Sequence, residues 1–212
     1  RIVYTSTPQR GLEILVPVFT RLAEDNPNIH LDVFSSFKIY GWDDADRNFE
    51  PLYEQIRNHP QMTYHGFQPN EVVREHLNKS HIFAYPSIWM ETSCIALMEA
   101  MSAGCLSVHP NYGALYETAS NFTWMYQYRE DIRDHMSTFQ QTLELAINTF
   151  DPLRSDFQQR TEAAKSYIDT FYSWNTRIQE WNDSSSAYSG AKQVYQNVWE
   201  DNFNGLYPKS YD

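Results

Sequence analysis

A chain of 212 residues, 42% hydrophobic and 20% charged, can bury a real core and is too apolar for wholesale disorder. Its formal net charge of −11 excludes a nucleic-acid backbone as the main partner. A small anion held by one arginine and a helix end stays compatible with that charge. Two cysteines, Cys94 and Cys105, provide neither a disulfide framework nor a paired C-x-x-C metal pattern. The sequence shows no signal peptide and no apolar run of bilayer length, so a cytoplasmic setting is expected, with peripheral membrane attachment open to the full-length protein. It opens on Arg1-Ile2-Val3-Tyr4, which reads as a strand already under way, so the chain is expected to be a piece of a longer protein.

Taken in order, strand-like and helix-like segments alternate through about the first 130 positions, as in a parallel sheet covered by helices. Ile2 to Tyr4 reads as a strand, ended by Ser6-Thr7-Pro8. Leu12, Leu15, Val16, Phe19 and Leu22 follow at helical spacing until Asn26-Pro27-Asn28, with Pro17 expected to kink that helix or delay its start. Ile29 to Phe34 is the second strand and Ser35 to Asn48 a loop. Phe49 to Asn58 is a helix, Met62 to His65 a short strand, and Asn70 caps a helix through Lys79. Ile82 to Tyr85 is a buried strand closed by Pro86, and Thr92 to Ala103 a helix stopped by Gly104. Leu106 to Val108 and Phe122 to Trp124 complete the strands, and Arg129 to Trp181 reads as helical throughout. The expected fold is a doubly wound α/β sheet with a helical C-terminal extension. Its domain plan is 1–150 for a Rossmann-like α/β domain, 151–183 for its C-terminal helices, and 184–212 for a linker at Ser184-Ser185-Ser186 with a tail helix.

The stretch Pro86 to Gly104, PSIWMETSCIALMEAMSAG, is the most informative. A strand ends and a helix starts at Thr92-Ser93 on the edge where open α/β sheets bind ligands. The free amides of Ser93, Cys94 and Ile95, with the helix dipole, suit a diphosphate. Glu91 and Glu99 lie eight residues apart, about 12 Å along a helix axis. They would flank such an anion and accept hydrogen bonds from groups on either side of it. The plainer account is a glutamate favoured by the dipole and another turned to solvent, although the apolar neighbours Leu97, Met98, Ala100 and Met101 weigh against the second part.

This segment resembles the E-x7-E signature of GT-B glycosyltransferases of family four, with Glu91 and Glu99 as its acids. Ser80 to Ser87 resembles the strand and proline before the motif, and Ser102 to His109 the AxGxPVV element, with Leu106 in place of proline. The resemblance runs from about Ile2 to Glu117. It implies the donor-binding half of a retaining glycosyltransferase, with a nucleoside diphosphate sugar as substrate and Glu91 contacting the donor sugar and Glu99 the ribose. It also implies an acceptor domain N-terminal to this one, and no cofactor or metal.

Arg10-Gly11, after Ser6-Thr7, matches the basic residue and glycine that follow the first strand in that family. Arg10 would clamp the diphosphate and offset charge on the departing nucleotide. An additional Gly-Arg, carried earlier in this loop by many members, is replaced by Thr5-Ser6. The resulting site comprises Arg10 and Glu91 as the catalytic pair, with Ser6, Thr7, Gly11, Phe67, Gln68, Thr92, Ser93, Cys94, Ile95 and Glu99 binding the donor. Phe67 and Gln68 belong to the loop that resembles the family's base-side loop, where Asn70 reads as a helix cap. Tyr40-Gly41-Trp42 lies at another strand end without an assigned role. His59, His65, His76, His81 and His109 lack the short pairing of a zinc motif. Phe171-Tyr172-Ser173-Trp174, with Ile178 and Trp181, resembles the late aromatic helix of these enzymes. Two other functions fit the motifs: a nucleotide-sugar-binding module without turnover, and a GT-B isomerase acting on the nucleotide-sugar.

Overall fold

Parallel strands buried on both faces read as continuous apolar runs, and the short runs in this sequence pair in that way. The computed structural model describes residues 1–186. Its strands are β1 (Ile2–Thr5), β2 (Leu31–Phe34), β3 (Met62–Tyr64), β4 (Ile82–Ala84), β5 (Leu106–Pro110) and β6 (Trp124–Tyr126). All pairings are parallel, in the order β3-β2-β1-β4-β5-β6. Helices α1 (Leu12–Asp25), α2 (Glu50–Asn58), α3 (Asn70–Leu77), α4 (Ile95–Ser102), α5 (Leu115–Ala119), α6 (Ile132–Thr149) and α7 (Ser155–Phe171) flank the sheet. Contacts of α1 with α2 and α6 mark one layer, and those of α4 with α3 and α5 the other. This is the expected doubly wound, Rossmann-like sheet. Its order reverses between β1 and β4, and a crevice opens outside their carboxyl ends.

Local boundaries differ from the sequence reading where tertiary contacts override local preference. Helix α1 runs through Pro17 because that residue sits on the exposed side, where the carbonyl it leaves unbonded faces water. The loop after β2 contains two 3-10 turns, Phe37–Tyr40 and Asp43–Phe49. Asn70 is the first residue of α3 rather than its cap, a position taken by Pro69. Strand β6 starts at Trp124, two residues later than expected, because its register follows β5, with Val108 opposite Trp124. Helix α4 starts at Ile95, not at Thr92. The region 129–181 is interrupted between α6 and α7 and again at residues 172–173.

One compact unit comprises Arg1–Asp169, so α6 and most of α7 belong with the sheet. Arg160 ties α7 to the chain before β6 through the carbonyls of Phe122 and Thr123, at 3.0 and 2.9 Å. A second unit begins at Thr170. Its described part includes a helix over residues 174–186, so the three serines read as a linker are helical. The expected tail helix lies outside the described residues. Trp174 and Trp181 on that helix are exposed. Among the described residues, no helix is long and apolar enough to cross a membrane.

His109 on β5 is fully buried, with Thr123 Oγ1 at 2.8 Å from Nε2 and the Pro110 carbonyl at 2.9 Å from Nδ1. Burial holds its pKa at about 4, below the ordinary 6.5. The unfolded chain therefore takes up a proton on this imidazole at a higher pH than the folded one does. Stability is complete above pH about 6.5 and falls as pH drops toward 4, by on the order of 3 kcal/mol from this group. Urea midpoints measured from pH 7.5 to 4.5 should show the fall, and His109→Gln should flatten it. An unchanged pH slope in that variant would mean other groups dominate acid unfolding.

Candidate functional site

The crevice at the strand-order reversal is a cavity of about 450 Å³, within the range of small-molecule sites. Thr5, Ser6, Thr7 and Arg10 line it from the β1 end. Phe34, Ser35, Ser36, Ile39 and Tyr40 line it from the β2 end, and Gly66, Phe67, Gln68 and Asn70 from the loop after β3. Tyr85 follows β4, and Ser93, Cys94, Ile95, Ala96 and Glu99 come from the start of α4. The structure thus brings together most of the residues singled out in the sequence. Thr92 and Gly11 are not among the lining residues, and neither is Glu91.

Glu91 is buried, 4% exposed, and its carboxylate is already engaged. Arg10 Nη1 donates to both of its oxygens, and the Tyr85 hydroxyl donates to Oε1 at 2.7 Å. In this structure the carboxylate holds Arg10. Burial works against the Arg10 charge, but the hydrogen bonds from its side to Glu91 and Tyr85 outweigh that and hold its pKa above the ordinary value. Arg10 Nε is buried without a hydrogen-bond partner, as are Thr5 Oγ1, Thr7 Oγ1 and Ser35 Oγ. These four atoms belong to crevice-lining residues. Buried polar atoms normally find partners, so these four mark the polar ground beneath the crevice as incompletely satisfied.

The first intrahelical bond of α4 runs from the Met98 amide to the Cys94 carbonyl, leaving the amides of Ile95, Ala96 and Leu97 ahead of it. The helix start thus moves to Ile95, the last of the three residues Ser93-Cys94-Ile95 expected to offer free amides. Burial pushes the Cys94 thiol up to about 12, so it is a neutral packing group at the helix start. Glu99 faces the crevice from the next turn, its side chain 30% exposed and 3.7 Å from Arg74 Nη2 on α3. Among the lining residues Arg10 is the single cation and Glu99 the single carboxylate.

Phe67 and Gln68 lie where the loop reading placed them, with Gln68 Nε2 donating to the His65 carbonyl at 2.9 Å. Sequence reasoning missed Tyr85, Arg74 and the lining from Ser35, Ser36, Ile39 and Tyr40. The signal for the last group was present, since small polar residues directly after a buried strand mark a carboxyl-end loop. The histidines, scattered in sequence, partly converge: Asp32, His65 and His76 each offer a ligand atom within 4.8 Å of the others.

Gly11 works by absence of a side chain. It adopts φ +106° ahead of α1, and a Cβ there would lie 2.1 Å from the Pro86 carbonyl oxygen. It lets the β1 and β4 loops touch, which brings Arg10 within reach of Glu91.

The profile of the family "Glycosyl transferases group 1" matches residues 3–138. No curated protein sequence matches the chain at a significant level. Among solved structures, the chain is similar to HepE of Anabaena in complex with UDP, with a TM-score of 0.69 and 14% identity, covering 88% of this chain and 48% of that one. It is similar to sucrose-phosphate synthase of Thermosynechococcus elongatus, with a TM-score of 0.68 and 13% identity over 89% and 45%. A glycosyltransferase of Rickettsia africae gives a TM-score of 0.67 and 16% identity over 86% and 46%. These likenesses concern the fold, and the chain spans about half the length of each of these relatives.

The glycine geometry sets a stability order. Gly11→Ala combines a left-handed backbone with a clash and should cost about 3 kcal/mol or more. Gly104→Ala has the left-handed φ of +80° but open space around its Cβ, and should cost about 1–2 kcal/mol. Urea unfolding of both variants tests this, and equal losses would remove the Gly11–Pro86 approach as a constraint.

Proposed function

The chain belongs to the Glycosyl transferases group 1 family, and on that premise we propose that its crevice binds a nucleoside diphosphate sugar. In this reading the domain holds the donor during retaining transfer of the sugar, in glycan or polysaccharide synthesis. The acceptor side is assigned to a further domain N-terminal to this one. The observation that carries the proposal is convergence. One arginine, the open amides of α4, one carboxylate and four unpartnered buried polar atoms belong to residues lining one cavity at the strand-order reversal. HepE, of similar fold, was solved with UDP and with UDP-glucose, which supports a ligand of this class.

The chemistry follows from placement. Breaking the bond between the sugar's anomeric carbon and the diphosphate leaves its electrons on the departing phosphate oxygen. Arg10 and the amides of Ile95 and Ala96 offset that charge in a partly enclosed site. Together they supply the positive potential, so this reading needs neither metal nor cofactor at the diphosphate. Glu99 accepts hydrogen bonds from the ribose hydroxyls. Glu91 fixes the direction of the Arg10 fork through Nη1 and leaves Nη2 for the ligand.

Two variants test the assignment by calorimetry. Removing Arg10 outright would strand a buried carboxylate, so Arg10→Lys is the sharper change: it keeps the charge beside Glu91 and loses the planar fork. UDP and GDP should bind on the order of tenfold more weakly, with uridine unaffected. Unchanged UDP and GDP affinity would take Arg10 out of the site. Glu99→Gln should weaken UDP by a similar factor and reduce discrimination against the 2′-deoxy nucleotide. A change within ~0.5 kcal/mol would instead mark Glu99 as an ordinary surface residue.

A further inference from the structure

Behind Phe34, which lines the crevice, lies a second polar cluster that the donor site does not use. Asp32 on β2 is 1% exposed, and its Oδ1 lies 2.9 Å from His65 Nε2. Its Oδ2 accepts from Arg1 Nη2 at 2.6 Å and Nε at 3.1 Å. His76 on α3 supplies a second imidazole, and the three residues offer ligand atoms within 4.8 Å of one another.

Both rings pack against Phe34. His65 stacks flat on Phe34, with centroids 4.3 Å apart, and His76 meets Phe34 edge-on at 5.0 Å. The two imidazole centroids are 4.8 Å apart. His76 Nδ1 lies 2.9 Å from the Val72 carbonyl, which can only accept. That contact puts the ring proton on Nδ1 and leaves the Nε2 lone pair free. A second hydrogen bond of this kind, from the far ring nitrogen to a backbone carbonyl, typically orients metal-ligating histidines. An ion pair alone explains Asp32 with Arg1 and His65, but it gives no role to the Nε2 lone pair of His76.

We propose that Asp32, His65 and His76 form a binding site for one borderline divalent cation of the Zn2+ or Co2+ class. Two imidazoles and a carboxylate select such ions over Mg2+ or Ca2+, which prefer all-oxygen shells. Bonds of about 2.0–2.2 Å at tetrahedral angles put ligand atoms roughly 3.4 Å apart. The Asp32–His65 pair is already closer than that, so the closing movement of about 1–1.5 Å falls on the half-buried His76. Water completes the shell. The ion ties β2, the turn after β3 and α3 together, and so fixes the start of the Gly66-Phe67-Gln68 loop. The site is separate from the diphosphate contacts at Arg10 and α4 and does not depend on the function proposed for them.

Titration of the apo-protein with Co2+ tests this through visible d–d absorption, which rises with coordination by nitrogen and oxygen in a tetrahedral shell. One equivalent should saturate the band, and added Zn2+ should displace it and raise the melting temperature, while Mg2+ does neither. His76→Gln, a half-buried change that leaves Asp32 paired, should weaken Co2+ at least about tenfold and abolish the Zn2+ shift in melting. Arg10→Lys should bind Co2+ like the parent. Absence of both the band and the Zn2+ shift in the parent, or equal Co2+ affinity in a folded His76→Gln protein, would overturn the assignment.

Discussion

Arg10 and Glu91 stand 81 positions apart in sequence and meet at the point where the sheet reverses its strand order. A buried ion pair of this kind adds little net stability, because desolvation consumes most of the attraction. Its value is geometric. The pair fastens the loop after β1 to the segment after β4, and two glycines make room for it. Gly11 closes on Pro86, while a Cβ on Gly113 would lie 2.6 Å from the Glu91 backbone. The Ala114 amide then holds the Glu91 carbonyl at 2.7 Å. Glu91 is thus held by its backbone at Ala114 and by its side chain at Arg10 and Tyr85, and the crevice inherits its shape from that clamp.

The same clamp explains why the fold was more legible than the site. Alternation of short apolar runs with helical periods identified the six strands of the described residues and their parallel character, since those signals are local. The start of α4 was misplaced because Thr92 and Ser93 are attractive caps by composition. The chain around Glu91 is pinned by Gly113, Ala114 and Arg10, and winding begins only at Ile95 behind Cys94. Glu91 was recognised as a special residue, but its partner was not. Tyr85 looked like the last residue of a buried strand, and nothing local says that its hydroxyl turns to a carboxylate. Lining residues from the β2 loop and the convergence of Asp32, His65 and His76 depend on sheet order and on the docking of α3, which no spacing within the sequence records.

Under the proposed function, an acidic chain that holds a diphosphate has to do so by short-range arrangement. With a net charge of −11 the long-range field opposes a diphosphate, and salt screens that field beyond about 10 Å. The crevice answers with a single arginine whose charge is secured by Glu91 and Tyr85, and with backbone amides whose dipoles cannot be titrated away. Glu91 is not among the cavity-lining residues, so its charge is spent on Arg10 and Tyr85. Glu99 has Arg74 nearby at 3.7 Å, which tempers its own charge at the crevice wall.

Phe34 is the wall shared by the crevice and the cluster behind it, with one residue serving both. His65 links them a second time, since its carbonyl receives Gln68 and its ring meets Asp32. A ligand on either side therefore acts on the same turn after β3. If the turn position that favours a cation also presents Phe67 and Gln68 to the nucleotide, the two bindings strengthen one another by an equal factor, because linkage between equilibrium affinities is reciprocal. If the positions differ, each weakens the other by that same factor. Either way, the coupling can be no larger than the difference in free energy between two positions of one short loop. Under the two proposals, the cluster is a stiffener or tuner of the crevice, while the charge of the departing nucleotide is assigned to Arg10 and α4.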